Sequence, residues 1–107
     1  MARVIFAELG ANETSDVFQT TIGGPVWVNV DGDLSSQTIT MQRSPDNSNW
    51  DNAYPDATLA TLTVLGEIRR YELGPGFFFR FVVSNGGTPD IDLYVDGAGV
   101  ARFTGTE

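Results

Sequence analysis

Phe77-Phe78-Phe79-Arg80-Phe81-Val82-Val83 decides the fold class of this chain. Its residues are aromatic or β-branched, the types that fit a pleated surface. Apart from Arg80 it is apolar at both parities, which marks a strand buried on both sides, at the centre of a sheet. Alternation assigns Phe77, Phe79, Phe81 and Val83 to the core face.

The same period of two recurs along the chain. Val26-Trp27-Val28-Asn29-Val30 sets three valines on one face, with Trp27 on the other. Thr38–Gln42 alternates polar with apolar, and Ile91–Asp96 points Ile91, Leu93 and Val95 one way and its aspartates the other. Further strands are expected at Arg3–Leu9, Asp16–Thr21, Leu59–Leu65, Ile68–Leu73 and Val100–Thr104. Asp31-Gly32, Asn85-Gly86-Gly87 and Asp96-Gly97 are read as turns, and no window of a dozen residues holds a helical stripe. Short strands between turn signals predict an all-β antiparallel sandwich of about eight strands, jelly-roll or immunoglobulin-like. Residues 1–107 are read as one domain, with 1–15 either its first strand or an N-terminal arm. Ala11–Ser15 and Gly105–Glu107 are the expected flexible stretches.

Composition narrows the chemistry. The 107 residues include no histidine and no cysteine, and the six basic residues are all arginine, against fourteen acids, for a net charge of −8. These absences exclude an imidazole base, a thiolate nucleophile, a lysine Schiff base, a disulfide framework and the usual zinc sites. Ser44, Ser48 and Ser84 have no histidine or lysine to activate them. The acidic balance argues against nucleic-acid and anionic-membrane partners. No apolar run approaches the ~20 residues of a membrane helix. Glu8 interrupts the apolar start where a signal peptide would continue, so synthesis in the cytoplasm is expected. No catalytic residue, cofactor or metal ligand is assigned.

Several residues carry two readings. Asp46-Asn47-Ser48-Asn49-Trp50-Asp51 is rich in side-chain oxygens, as calcium loops are, but it lacks the glycine and glutamate of an EF-hand and reads as a polar turn. Asp31 with Asp33, and Asp90 with Asp92 and Asp96, could pair as glycosidase carboxylates or form a solvated acidic face. Trp50 and Tyr54 suit a sugar platform or a protein contact, or Trp50 caps the core. Trp27 is second-sheet core or an interface residue. Arg69-Arg70 meets an acidic neighbour or offsets local repulsion. Phe78, on the second face of its strand, needs covering. The candidate interface is therefore Trp27, Trp50, Tyr54, Arg69, Arg70 and Phe78.

The order of features from Gln37 to Gly97 completes the reading. A strand enters Ser44-Pro45-Asp46-Asn47-Ser48-Asn49-Trp50, then come Tyr71-Glu72-Leu73, a Gly-Pro-Gly turn, Phe78–Ser84 and Asp90–Gly97. This resembles small β-sandwich virion proteins of tailed bacteriophages: capsid decoration or cement proteins, head fibres and related tail modules. The pattern favours glycine where this chain has Asn47. Carbohydrate-binding sandwiches, discoidin-like ones among them, show a similar S-x-D-G-x-x-W turn. The resemblance implies a non-enzymatic structural protein on the outer capsid surface of a virion. It would bind the major capsid protein and form a homo-oligomer, with a trimer favoured. The alternative is a carbohydrate-binding module with a glycan partner, and a calcium-stabilised adhesion domain stands third.

The chain is expected to turn over neither esters nor glycosides. Turnover that disappears in Asp92→Ala or Asp96→Ala would overturn that expectation.

Overall fold

A computed structural model describes residues 2–54, 60–66 and 68–103. Among these described residues ten strands follow one another: β1 Ala2–Leu9, β2 Phe18–Thr20, β3 Gly24–Asp33, β4 Ile39–Ser44, β5 Asp51–Asn52, β6 Thr61–Leu62, β7 Ile68–Leu73, β8 Phe78–Val83, β9 Asp90–Gly97 and β10 Val100–Arg102. Each long strand buries alternate residues, because a period-two apolar pattern can hide only one side of a pleated strand. β8 buries Phe79, Phe81 and Val83, and β3 buries Val26, Val28 and Val30.

The strands form two antiparallel sheets. One has four strands in the order β1-β9-β3-β7, and the other runs β10-β2-β8-β4-β5, with β6 also on β4. Pairings nest: β4 with β6, β3 with β7, β2 with β8 and β1 with β9. A long hairpin folded over on itself makes this pattern, which is the jelly-roll choice of the two topologies expected. β5 and β6 share one edge of β4, at Arg43↔Asp51 and Ile39↔Leu62 respectively.

Several sequence expectations change. Asp31-Gly32 is not a turn: β3 continues through it, pairing Asp31 with Asp92, Gly32 with Ile91 and Asp33 with Asp90. Gly32 has φ 94°, and a Cβ there would lie 2.3 Å from the Asp90 carbonyl oxygen, so its role is close backbone approach. Asp96-Gly97 ends β9 rather than turning, whereas Gly86 and Gly87 take the positive φ expected of their turn. Ala11–Ser15 is not a free linker. Ser15 N–H donates to Phe81 O at 2.8 Å, and Val83 N–H donates to Glu13 O at 2.9 Å, which extends the β2 pairing along β8. The strand expected over Leu59–Leu65 shrinks to Thr61–Leu62; Leu59, Thr104 and the Gly105–Glu107 tail lie outside the described residues. Residues 2–9 pair with β9 as a sheet edge strand.

That edge is blunted. One extra β1 residue sits between the pairs Phe6↔Leu93 and Leu9↔Ile91, with Glu8 at φ 59°. This is a β-bulge, which bends an edge away from further pairing. Asp92 Oδ1 accepts the Glu8 N–H at 3.0 Å, and the Arg102 guanidinium donates to Ile5 O.

The core centres on four phenylalanines. Phe18 of β2 stacks on Phe79 and Phe81 of β8, with centroids at 5.5 and 5.6 Å, and Phe6 of β1 approaches Phe18 at 6.0 Å from the other sheet. Phe77 precedes β8 and is half-buried against this core.

Phe18→Ala and Phe81→Ala are each expected to destabilise by about 3–5 kcal/mol in chemical denaturation, with half-buried Phe78→Ala costing less than either. Asp92→Asn keeps an acceptor for Glu8 and removes a like charge opposite Asp31, so it is expected to leave stability unchanged or raise it by about 0.5 kcal/mol. Asp92→Ala, which leaves the bulge N–H unanswered, is expected to cost about 1 kcal/mol.

Candidate functional site

The jelly roll leaves two outward sheet faces, and the candidate residues divide between them. On the four-stranded sheet, register brings Arg3, Asp96, Trp27 and Arg70 abreast in one row. The next row is Ile5, Tyr94, Asn29 and Ile68. Ile5 is 44% and Ile68 65% exposed, and Val64 and Leu65 beside the start of β7 are 59% and 45% exposed. Trp27 is half-buried here, outside the core. The charges on this face are paired locally: Arg3 donates to both Asp96 carboxylate oxygens, at 2.6 and 3.2 Å, and Arg70 pairs with Glu72. The Arg3 guanidinium also lies 5.3 Å from the Tyr94 ring centroid, and the Asp96 carboxylate raises the Arg3 pKa. The result is a broad face of aromatic, aliphatic and ion-paired arginine side chains.

The six-stranded sheet covers its own outward residues. Phe78 meets Phe103 edge-on at 4.9 Å. Thr14 bridges to Val82. Arg80 donates Nε–H to Gln42 Oε1 at 2.8 Å, and its guanidinium lies 4.2 Å from the Trp50 ring centroid. Burial lowers the Arg80 pKa. Trp50 therefore lies over an arginine on the outer face and does not cap the core. Beside it a hollow of about 550 Å³ follows β5, lined by Gln42, Arg43, Trp50, Asp51, Asn52, Ala53 and Tyr54.

The turn leading into Trp50 is held by one carboxylate. Asp46 accepts from Ser44 Oγ at 2.9 Å, from the Ser48 and Asn49 N–H groups at 2.9 Å, and from Asn49 Nδ2 at 2.7 Å. The Asn49 backbone bond, then the Ser44 hydroxyl and the Asn49 amide, hold its carboxyl well below the usual carboxylate range. The oxygens that suggested a calcium loop thus organise their own turn. Asn47 has φ 60°, the left-handed conformation that favours glycine and that asparagine also adopts.

The remaining candidates serve the scaffold. Tyr54 stacks on Tyr71 at 5.6 Å and donates its hydroxyl to Glu72 O at 3.2 Å. Arg69 and Arg70 point to opposite sides of β7, so they do not act as a basic pair. Arg69 donates to Thr61 O at 2.7 Å, bracing β6. Asp92 and Asp96 are taken by Glu8 and Arg3 rather than by each other. Among the described residues no group of three or more His, Cys, Asp or Glu is placed to hold a metal ion. Reading single residues missed Arg3, Ile5, Ile68 and Tyr94. Tyr94 was legible, since it lies between Asp92 and Asp96 on the outward parity of its strand; the others share its face only through strand pairing.

No protein-family model and no curated protein matches the chain. Solved structures share its architecture. The SPBc2 prophage-derived protein YomS superposes with a TM-score of 0.58 at 15% identity, over 94% of each chain. The Yersinia pseudotuberculosis-derived mitogen superposes at 0.51 with 14% identity, over 94% of this chain and 92% of its own. At such identity the likeness is one of fold.

Asn47→Gly is expected to preserve or raise stability by up to about 1 kcal/mol, and Asn47→Val to lower it by about 1–2 kcal/mol, measured by thermal melting. The depressed Asp46 pKa adds stability that is present above the ordinary carboxylate pKa and is lost as pH falls through the folded value. Carboxyl NMR should find Asp46 still ionised below the usual carboxylate range, and Ser44→Ala should move its titration upward.

Proposed function

We propose that this protein is a non-enzymatic virion component that decorates the outer surface of a phage capsid, docking on the major capsid protein. The observation that carries the reading is the outward face of the four-stranded sheet. Trp, Tyr and Arg are the residues that concentrate binding energy at protein interfaces, and Trp27, Tyr94, Arg3 and Arg70 stand in adjacent positions there. Such a broad face suits a second protein surface. A prophage-derived protein with the same fold is consistent with this source.

The −8 charge supports solubility before assembly and complementarity to a more basic lattice. Ile5, Ile68, Val64 and Leu65 supply apolar surface on or beside this face, and a second copy is a natural cover for what the capsid leaves open. A homo-oligomer, with a trimer favoured, follows as part of the proposal; closed symmetry is the usual way identical chains bury such a patch.

The test is to probe purified particles of the source phage with antibody to this chain, alongside binding of the chain to undecorated heads. Labelling of the capsid, and binding lost in Trp27→Ala and Arg70→Glu with unchanged melting, are the expected results. Absence from the particles would overturn the reading. Self-association should strengthen with salt, because screening over about 8 Å at physiological strength relieves repulsion between acidic copies. Light scattering that gives 11.6 kDa in both low and high salt would remove the intrinsic oligomer from the proposal.

A further inference from the structure

We infer that the hollow along β5 is a binding site for a neutral pyranose sugar. This does not rest on the capsid reading, since the hollow lies on the opposite sheet. Three observations converge there.

Trp50 is a large aromatic left out of the core. Arg80 occupies one face of its indole, and the ring lines the hollow. A flat indole matches the apolar C–H face of a pyranose, the kind of amphipathic surface that water solvates poorly.

Two carboxamides stand beside it. Gln42 and Asn52 are direct cross-strand partners, so their side chains share the outer face of the sheet with Trp50, two residues before Asn52. Each amide offers a donor and an acceptor, the combination that vicinal sugar hydroxyls require. Gln42 is already oriented, because its Oε1 is fixed by Arg80, and its amide nitrogen remains for a ligand.

The charges are balanced. Arg43 lies directly opposite Asp51, and Arg80 stands against the indole rather than lining the hollow. A neutral ligand is favoured over an anionic or cationic one. The volume, about 550 Å³, falls within the ~300–1,000 Å³ range of small-molecule sites. The platform is also rigid: the Asp46 hydrogen bonds hold the turn before Trp50, and β4 pairing holds the residues after it. Preorganisation of this kind reduces the ordering cost of binding.

The experiment follows the two indole N–H resonances of the full chain by NMR, assigned through Trp27→Phe. Glucose, galactose and N-acetylglucosamine are titrated separately. The expected result is a saturable shift of the Trp50 resonance with at least one sugar, in the millimolar range of a single shallow site, while Trp27 stays still. Asn52→Ala, which leaves the core untouched, should weaken that sugar about tenfold, and Trp50→Phe should weaken it less than Trp50→Ala. No Trp50 shift with any sugar would overturn the inference. So would equal shifts at both tryptophans, or a Trp50 shift with purified capsid protein alone, which would assign the hollow to a protein contact.

Discussion

The stacking of Phe18 between Phe79 and Phe81 is the contact on which the molecule depends. β2 is only three residues long, and its backbone bonds alone would not hold it. Phe18 anchors it on β8, and Phe6 reaches the same cluster from the opposite sheet. The cluster also fixes what faces outward. Once Phe79 and Phe81 turn inward, alternation sends Phe78, Arg80 and Val82 to the outer surface. Phe103, Trp50 and the stretch around Thr14 cover them there. The position of Trp50 over Arg80 thus follows from the inward packing of Phe79 and Phe81 on either side of that arginine.

Charge is the second constraint. Fourteen carboxylates face six arginines, and the fold relieves the excess locally. Asp96 takes Arg3, Glu72 takes Arg70, Asp16 takes Arg102, and Asp46 and Asp92 accept backbone N–H groups. Where β3 meets the start of β9, Asp31 faces Asp92 and Asp33 faces Asp90, an arrangement of like charges that destabilises a sheet. Asp31 and Asp33 temper it by accepting the N–H groups of Gly32 and Ser35. Exposed pairs of this kind contribute little individually; on the broad face of the four-stranded sheet they neutralise Arg3 and Arg70.

The two outward faces have different chemistry because they sit on sheets of different construction. Through the rows of Arg3 and Ile5 the four-stranded sheet keeps its register across all four strands and presents a continuous surface, which suits a macromolecular partner. The six-stranded sheet carries two short strands, β5 and β6, on one edge of β4, and a hollow lies along β5, which suits a small ligand. Neither kind of contact needs a reacting group.

The sequence by itself determined the all-β class, the inward faces of β3, β8 and β9, and the absence of His, Cys and Lys chemistry. All of these depend only on residue type and local alternation. Tertiary structure decided the jelly-roll order, because pairings such as β1 with β9 join residues some ninety positions apart and leave no local trace. It also decided the use of Gly32, since a glycine that serves a turn and one that admits a neighbouring carbonyl read alike in one dimension. Trp27 and Trp50 show the same division. Alternation placed Trp27 opposite its valines, but only the pairing of four strands set it beside Arg70 and Asp96. Nothing local could assign Trp50 its partner, for Arg80 lies thirty residues on, and only β4 and β8 side by side bring an arginine beneath that ring.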